Sequence, residues 1–364
     1  MSEEYLFVVP TASIGGAERV MFNLVTYLLD KNKHVTLVTM SKGKQANGWN
    51  ELEHYSNFKW IPGFYKSEKS SLIPITSKLI DLNNRHKFDY IFSSHLHVNS
   101  YLSSLKRVGF FKNSYLISRE SFTVFEKYNN YKKILFKRIY CHLYGSQDLL
   151  ICQTESMKSS LITNLGFRPV KKIEVIPNPV NLEYINSHIQ NAIKEKIVIA
   201  CGRLTDIKQF DLLINAFHLF SKTHPEYKLV ILGDGALREK LQAQVNTLGI
   251  SKKVILVGKT ANPFLWFAKS EIGIISSKRE GFPNVLLEMM ASGTSKIVAT
   301  PCTGGLSDIS GLIITNDTSM ESILEGLNKA AILSDDLSPI YQKYISRNHS
   351  VDSFWNSVLQ ILHD

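Results

Sequence analysis

The chain has 364 residues, of which 44% are hydrophobic, and its 42 lysines and arginines against 32 acidic residues give a net charge of +10. This length predicts two or three domains, each able to bury a core, and the ordinary apolar fraction excludes wholesale disorder. The apolar runs are only as long as strands, so no transmembrane helix is predicted. Four cysteines lie too far apart for zinc pairs or a disulfide scaffold, which indicates a reducing compartment: Cys141, Cys152, Cys201 and Cys302.

Strand and helix patterns alternate along the first half of the chain. Tyr5–Val9 is an apolar run that predicts a strand, and a glycine turn then leads into a predicted helix from Ala17 to Leu29. Further strands are predicted at His34–Met40, Phe88–Ser93, Ser114–Ser118 and Leu149–Gln153. Apolar strands separated by helices are typical of a buried parallel sheet covered on both faces.

The segment from Ile173 to Leu182 interrupts this alternation. It contains Pro177 and Pro179, which cannot continue a helix, so it predicts a linker between domains. The alternation then restarts, with predicted strands at Ile197–Cys201, Leu229–Leu232, Val254–Val257, Ile272–Ile275 and Lys296–Ala299, and predicted helices at Phe210–Phe220, Ala236–Thr247 and Asn284–Ala291. The prediction is an α/β protein with two doubly wound domains facing across a cleft, where ligands bind beyond the carboxyl ends of the strands.

Two short motifs follow strands of the second half. Arg203 and Lys208 lie in the turn after Ile197–Cys201, where a guanidinium and an ammonium can hold a diphosphate near a helix start. The alternative is that both are surface residues at the beginning of a helix. The Gly-Asp-Gly turn at Gly233 allows close approach of the backbone, although a purely structural turn explains it equally well.

The most informative stretch runs from Lys278 to Glu288. Pro283 suits the first turn of a helix, which leaves Glu280 in the preceding loop and Glu288 inside the helix. One loop thus offers two carboxylates for hydroxyl groups and the free amides of a helix start for phosphate. That combination suits a nucleotide-sugar. The alternative is that both glutamates only face solvent or complement the helix dipole.

This stretch resembles the paired-glutamate signature, Glu, seven residues, Glu, of the retaining glycosyltransferases of family 4. The motifs at Arg203 and Gly233, and those at Val257-Gly258 and Gly304-Gly305, fall in that family's order. Near the amino terminus, Gly15-Gly16-Ala17-Glu18-Arg19 resembles its glycine loop. The resemblance covers nearly the whole chain. It implies the GT-B fold of two Rossmann-like domains, with residues 1–176 binding the acceptor, residues 177–349 binding the donor, and a terminal helix at 350–364 packing back on the first domain.

The resemblance also implies roles for individual residues. Arg203 and Lys208 are expected to hold the donor diphosphate, and Glu288 the ribose hydroxyls. Glu280 is expected to contact the transferred sugar, and Lys259 is expected to lie near the base of the nucleotide. The expected donor-binding set is Gly15, Gly16, Arg203, Lys208, Gly233, Lys259, Glu280, Gly281, Phe282, Pro283, Asn284, Val285 and Glu288.

Two departures from the family pattern affect these expectations. Pro283-Asn284-Val285 stands where many members have Gly-Leu-Pro, but the length is kept. Ser118-Arg119-Glu120-Ser121 stands where many members carry a histidine, and it is similar to a Ser-Glu-Arg-Asn sequence in a branch that acts on surface polysaccharides and lipid-linked oligosaccharides. The candidates for the reaction centre are therefore Glu280, Arg119, Glu120, His95 and His97, although each histidine alone can equally be an ordinary loop residue.

Charge and aromatic residues concentrate between residues 106 and 140. Nine lysines and arginines are accompanied by only two acidic residues, Glu120 and Glu126, and nine phenylalanines and tyrosines lie in the same stretch. This pattern predicts an anionic membrane surface as a partner, at about 1 kcal/mol for each basic residue near it. The alternatives are aromatic core residues beside solvated lysines, or RNA, for which no binding module is present. No Asp-x-Asp triplet follows a strand, so no metal and no other cofactor is predicted.

The function that we predict is metal-independent, retaining transfer of a sugar from a UDP-hexose or UDP-N-acetylhexosamine. The predicted acceptor is a glycan on a polyprenyl diphosphate, at the cytoplasmic face of the cell membrane, in cell-surface polysaccharide or oligosaccharide synthesis. The enzyme would position both substrates and stabilise the leaving diphosphate. The alternatives are a sugar-nucleotide epimerase of the same fold and a nucleotide-binding protein without activity.

Overall fold

The structure, a computed structural model, describes residues 3–42, 48–121, 125 and 131–364. The chain forms two compact units. Unit 1 comprises Met1–Asn181 and Val351–Asp364, and unit 2 comprises Leu182–Ser350. Each unit is an α/β structure built on one parallel sheet.

Unit 1 contains a seven-stranded parallel sheet in the order β3-β2-β1-β4-β5-β6-β7. Tyr5 to Val9 are completely buried in consecutive positions of the central strand, as expected for a strand that helices cover on both faces. The strands are β1 (Glu4–Thr11), β2 (His34–Ser41), β3 (Phe58–Ile61), β4 (Tyr90–Ser93), β5 (Tyr115–Arg119), β6 (Leu149–Cys152) and β7 (Ile173–Val175). The described helices between them are α1 (Gly16–Asp30), α2 (Glu68–Arg85), α3 (Leu96–Arg107), α4 (Tyr131–Leu143) and α5 (Glu155–Leu165).

The start of the predicted linker is a strand rather than a linker. Ile173–Val175 pairs in parallel with β6 and forms the edge of the sheet. The prolines cannot prevent this pairing, because the first of them, Pro177, comes two residues after the strand ends. The short strand β3 was not predicted, because Lys59 interrupts the apolar residues of Phe58–Ile61.

Unit 2 contains a six-stranded parallel sheet in the order β10-β9-β8-β11-β12-β13. The strands are β8 (Glu195–Cys201), β9 (Lys228–Leu232), β10 (Val254–Gly258), β11 (Ser270–Ile275), β12 (Lys296–Ala299) and β13 (Ile313–Ile314). The helices are α6 (Leu182–His188), α7 (Phe210–Thr223), α8 (Arg238–Thr247), α9 (Pro263–Lys269), α10 (Asn284–Ala291), α11 (Met320–Ile332) and α12 (Ser338–Asn348). A continuous core of phenylalanine, leucine and isoleucine side chains joins α7, α8 and α11 to this sheet.

The last helix, α13 (Val351–His363), belongs to unit 1. Its Trp355 ring packs against Tyr5 and Tyr90 of the central strands, with ring centroids 5.6 and 5.1 Å away. Among the described residues, no helix combines the length and the apolar composition needed to cross a bilayer.

Both sheets have a point at which the strand order reverses. It lies between β1 and β4 in unit 1 and between β8 and β11 in unit 2. At such a point the loops that leave neighbouring strands turn in opposite directions and open a crevice at the carboxyl edge. These two edges are therefore the places to look for binding residues.

Candidate active site

In unit 2 the loops after β8 and β11 bring a lysine and a glutamate together. The Lys208 ammonium contacts the Glu280 carboxylate, although the two residues lie 72 positions apart in the sequence. Glu280 Oε1 also accepts a hydrogen bond from Ser277 Oγ at 2.6 Å. Both side chains are mostly buried, with 20% and 17% of their surfaces exposed. The pair therefore forms a fixed polar group at the switch point.

The backbone of these loops is held by further hydrogen bonds. Ser276 Oγ donates to the Lys208 carbonyl at 2.7 Å, and the Lys278 amide donates to the Ile207 carbonyl at 2.8 Å. On the other side, the Glu280 amide donates to the Cys302 carbonyl at 2.8 Å. These hydrogen bonds tie the loop of Lys208 to the loop of Glu280, and the loop of Glu280 to the segment after β12.

The helix that follows, α10, has the predicted bounds Asn284–Ala291, but Pro283 lies before its first turn rather than in it. Pro283 is the residue before the helix, with φ −76° and ψ 102°, and Asn284 is the first helical residue. Glu288 lies one turn further on and is buried, with 8% of its surface exposed. The amides of this helix start and the Glu288 carboxylate are thus presented by one short segment.

Gly233 allows the turn after β9 to lie against the loop after β8. Its φ is +122°, and a Cβ atom there would be 1.9 Å from the Gly202 carbonyl oxygen. No other residue fits this position without moving the backbone. Arg203 and Lys259, which follow β8 and β10, are exposed at the same edge of the sheet.

In unit 1 the glycine loop is joined to the first turn of α1. The Gly15 amide donates to Glu18 Oε2 at 3.1 Å. Gly15 itself has an extended backbone, but a Cβ atom there would approach the same carboxylate oxygen to 2.9 Å. Gly16 is the first residue of the helix. The glycines therefore leave room for a buried carboxylate at the carboxyl edge of β1.

His95 lies directly beside this carboxylate. It precedes α3, just after β4, and its Nε2 is 3.3 Å from Glu18 Oε1. Burial, and secondarily the charges of His97 and Arg119, lower the pKa of His95 to about 4. The imidazole is therefore neutral at neutral pH, so it can donate from Nε2 to Glu18 and keep a lone pair on Nδ1, 3.3 Å from Ser94 Oγ.

Arg119 ends β5 and is buried rather than exposed. Its Nε donates to Asn178 Oδ1 at 3.1 Å, and Nη2 contacts the same oxygen. Burial lowers its pKa to about 10, so the guanidinium remains charged at neutral pH. Its Nη1 is buried and has no hydrogen-bond partner in the part of the chain that the structure describes.

The remaining two candidates of unit 1, Glu120 and His97, have other side chains as their polar partners. Glu120 is buried and accepts a hydrogen bond from the Tyr144 hydroxyl at 3.0 Å. Burial raises the pKa of this carboxyl group to about 7. His97 Nε2 lies 2.7 Å from Glu68 Oε2, with half of the imidazole exposed. The structure thus pairs His95 with Glu18 and places the other three candidates close by. The His97 ring centroid is 5.9 Å from that of His95, and Arg119 interacts electrostatically with both Glu18 and Glu120.

Sequence reasoning missed the polar residues that hold this group. Asn178 accepts from Arg119 and donates to Gln153 Oε1 at 3.0 Å, and Asn99 donates to the Arg119 carbonyl at 3.1 Å. Asn178 stood within the segment interpreted as a linker, and Gln153 within a predicted strand. Both follow strands of the sheet in the structure and so share its carboxyl edge, but β7 was not predicted and the predicted end of β6 was one residue too late.

The predicted basic and aromatic surface is smaller than expected. Arg119 and Glu120 are buried, and so are the rings of Phe111, Phe125 and Tyr140. Phe122, Glu126, Lys127 and Tyr128 lie outside the described residues. On α4 the following side chains are exposed: Tyr131, Lys132, Ile134, Leu135, Lys137 and Arg138. For the described ranges, no group of three or more histidines, cysteines, aspartates and glutamates is arranged to hold a metal ion.

Two family models match the chain almost end to end. The model described as Glycosyltransferase Family 4 matches residues 14–184, and the model described as Glycosyl transferases group 1 matches residues 185–349. A relative from Campylobacter jejuni, N-acetylgalactosamine-N,N'-diacetylbacillosaminyl-diphospho-undecaprenol 4-alpha-N-acetylgalactosaminyltransferase, is 32% identical over 221 residues, which is 59% of each chain. An uncharacterized glycosyltransferase from Methanocaldococcus jannaschii is 32% identical over 194 residues. These matches span 59% and 47% of the relatives' own lengths.

Solved structures resemble the chain over nearly its whole length. Anabaena HepE in complex with UDP and glucose superposes with a TM-score of 0.78 and 16% identity, and covers 99% of both chains. The apo form of the lipopolysaccharide outer core galactosyltransferase WaaB superposes with a TM-score of 0.66 and 18% identity, and covers 98% of this chain and 99% of that one. At these identities the likeness shows the fold alone, and it confirms the GT-B class of two Rossmann-like parallel sheets.

Proposed function

The chain belongs to glycosyltransferase family 4, and we propose that it transfers a sugar from a UDP-sugar to a glycan carried on a polyprenyl diphosphate. The observation that carries this proposal is the pairing of Lys208 with Glu280 at the switch point of unit 2, next to the helix that bears Glu288. UDP as the nucleotide is supported by the UDP complex of Anabaena HepE, and a lipid-linked acceptor by the name of the Campylobacter relative.

The donor roles that we propose follow from charge and position. Arg203 and Lys208 hold the diphosphate, and the amides of Phe282 to Val285 add hydrogen bonds at the start of α10. Glu288 accepts hydrogen bonds from the ribose hydroxyls. Glu280 contacts the transferred sugar, and its existing bonds to Ser277 and Lys208 orient the carboxylate.

Transfer in this proposal retains the anomeric configuration and uses no metal ion. The bond between the anomeric carbon of the sugar and the diphosphate oxygen breaks, and the acceptor oxygen bonds to that carbon on the same face. The leaving diphosphate takes the proton from the acceptor hydroxyl. Two cationic side chains and a helix start stabilise the charge that develops on the diphosphate. The chain itself then needs no nucleophile.

For the acceptor side we propose the group formed by His95, Glu18 and Arg119 at the carboxyl edge of unit 1. Neutral His95 accepts a hydrogen bond from the acceptor hydroxyl at Nδ1, where it replaces the present contact with Ser94 Oγ, while Glu18 holds its Nε2. Arg119 does not touch the acceptor in this proposal, because it is only 2% exposed, and its charge adds to the effects of burial and of His97 that lower the pKa of His95. Glu120 has a structural role through Tyr144.

We further propose that α4 attaches the protein to the inner face of the cell membrane. Tyr131, Ile134 and Leu135 expose 71%, 59% and 52% of their surfaces on one side of this helix. Lys132, Lys137 and Arg138 are exposed beside them, and the helix contains no acidic residue. Apolar side chains with flanking cations suit the interface of an anionic bilayer.

The activity is tested by nucleotide release from a panel of UDP- and GDP-sugars in EDTA, with and without bacterial lipid extract. We expect UDP release from one UDP-sugar, increased by the lipid extract. Release that requires a divalent metal would contradict the metal-independent mechanism. No release from any donor in the presence of lipid extract would contradict the transferase proposal.

A further inference from the structure

Unit 2 contains a groove beside the Lys208–Glu280 pair that the donor roles do not use. It encloses about 650 Å³, within the range of roughly 300–1,000 Å³ that is usual for small-molecule sites. Neither Arg203, Lys208, Glu280 nor Glu288 lines it. The residues that do, which together define the side groove, are Asp206, Ile207, Gln209, Asp211, Leu212, Lys278 and Arg279.

The walls of the side groove are the same loops that hold the proposed donor site. One wall is the turn Asp206–Lys208 with the start of α7, and the other is the loop after β11. The hydrogen bond from the Lys278 amide to the Ile207 carbonyl ties these walls together. Lys208 and Glu280 directly follow lining residues of the two walls, so a molecule in the groove lies next to the pair.

Gln209 is an unusual residue at the base of one wall. Its backbone is left-handed, with φ 49° and ψ 38°, a conformation that costs free energy for most side chains other than glycine and asparagine. Its side-chain oxygen Oε1 is buried, and within the described residues it accepts no hydrogen bond. A buried acceptor without a donor costs free energy, and rotation of the Gln209 side chain toward the groove would let Oε1 accept a hydrogen bond from a ligand hydroxyl group.

The charges and apolar groups of the side groove favour a particular class of ligand. Asp206 and Asp211 contribute two carboxylates, and Lys278 and Arg279 contribute two cations, so the side-chain charges cancel. A polyanion such as a nucleic acid would meet two carboxylates, whereas an uncharged molecule rich in hydroxyl groups can use all four polar groups. Ile207, with 43% of its surface exposed, offers an apolar contact for the C–H face of a sugar ring.

We infer that the side groove binds uncharged sugar residues of the glycan acceptor, beyond the residue that receives the transferred sugar. This inference rests on the proposed function, since it assumes that the acceptor is a glycan. Asp206 and Asp211 accept hydrogen bonds from sugar hydroxyls, Gln209 Oε1 accepts one more, and Lys278 donates. The groove thereby gives unit 2 a part in choosing the acceptor, in addition to its proposed part in holding the donor.

The test is saturation-transfer NMR on the full chain with saturating UDP, using uncharged oligosaccharides of hexose and N-acetylhexosamine units and matched oligosaccharides containing uronic acids. We expect signals from uncharged oligosaccharides and weaker signals from the acidic ones. The double variant Asp206→Asn/Asp211→Asn should weaken binding by about tenfold or more, as expected for lost hydrogen bonds to charged groups. Gln209→Asn, which keeps an amide that tolerates the left-handed backbone, should weaken it by about threefold or more.

Controls separate this inference from the proposed function. Asp335→Asn, an exposed aspartate of unit 2 outside the groove, should change nothing, and all variants should keep the UDP affinity of the unmodified chain. No saturation transfer from any uncharged oligosaccharide, or equal binding by the groove variants, would overturn the inference even if UDP-sugars are turned over. Loss of oligosaccharide binding in the variants, without nucleotide release by the parent, would support the groove and contradict the transferase.

Discussion

At the scale of single residues, the contact between Lys208 and Glu280 shows what the sequence reveals and what it conceals. The motifs placed both residues in a donor site, but assigned them to different parts of the ligand. Their pairing depends on β8 lying beside β11, which no local pattern specifies. The same limit applies to His95 and Glu18, which come together only because β1 and β4 are neighbours.

Replacing Glu288 tests the proposed ribose contact. Glu288→Ala removes the carboxylate that accepts from the diol, and lost hydrogen bonds to a charged group cost roughly 1.5–3 kcal/mol. We therefore expect UDP affinity, measured by calorimetry, to fall by about tenfold or more. Glu321→Ala, an exposed first-turn glutamate of α11, is the matched control and should bind UDP normally. Unchanged UDP affinity in a folded Glu288→Ala protein would exclude the ribose role.

Glu120 provides a prediction about pH. Burial raises its pKa from an ordinary 4.5 to about 7, so the folded state binds this proton more tightly than the unfolded state does. Its stabilising contribution is present below about pH 4.5 and is lost as the pH rises through 7, by roughly 3 kcal/mol at most. Glu120→Gln carries no such charge. The melting temperature of Glu120→Gln minus that of the parent chain should therefore increase from pH 5 to pH 8. A difference that stays constant would show that Glu120 ionises normally.

At the scale of elements, long apolar strands were predictable and short edge strands were not. The predicted strand Tyr5–Val9 lies within β1, and Lys296–Ala299 coincides with β12, because continuous apolar runs are typical of buried parallel strands. Ile173–Val175 was interpreted as part of a linker, since three residues beside a proline-rich sequence carry little periodicity. A short edge strand such as this one is identified by its pairing with the neighbouring strand, which the local sequence does not reveal.

Gly233 tests the packing of two donor loops. Gly233→Ala places a methyl group against the Gly202 carbonyl at a positive φ, so it should lower the melting temperature by about 4 °C or more and weaken UDP binding. Gly304→Ala is the control for stability, because its Cβ atom meets no heavy atom within 4 Å. Equal melting temperatures for the two variants would contradict the close approach of the loops.

The exposed face of α4 tests the membrane proposal. Replacing Tyr131, Ile134 and Leu135 together with serine removes the apolar side chains that would enter the bilayer interface. We expect weaker flotation with phosphatidylglycerol-containing vesicles and unchanged UDP affinity. The matched control replaces Ile332, Leu333 and Ile340 of unit 2, which are also exposed. Equal flotation of both triple variants would assign membrane binding to another surface or to none.

At the scale of the whole molecule, the fold class was predictable because repeated strand and helix patterns and several ordered motifs point to one architecture. The polar group around Arg119 and Glu120 was less predictable, since Asn99 reaches it from α3, and Gln153 and Asn178 reach it from the segments after β6 and β7.

The most direct test of the proposed transfer is the mass of the lipid-linked product. The full chain is incubated in EDTA with the UDP-sugar that it turns over and a polyprenyl-diphosphate glycan, and the lipid fraction is analysed by mass spectrometry and NMR. We expect a glycan longer by one sugar residue, linked with the anomeric configuration of the donor. A lipid-linked glycan of unchanged mass, with free sugar released from the UDP-sugar, would contradict the proposed transfer.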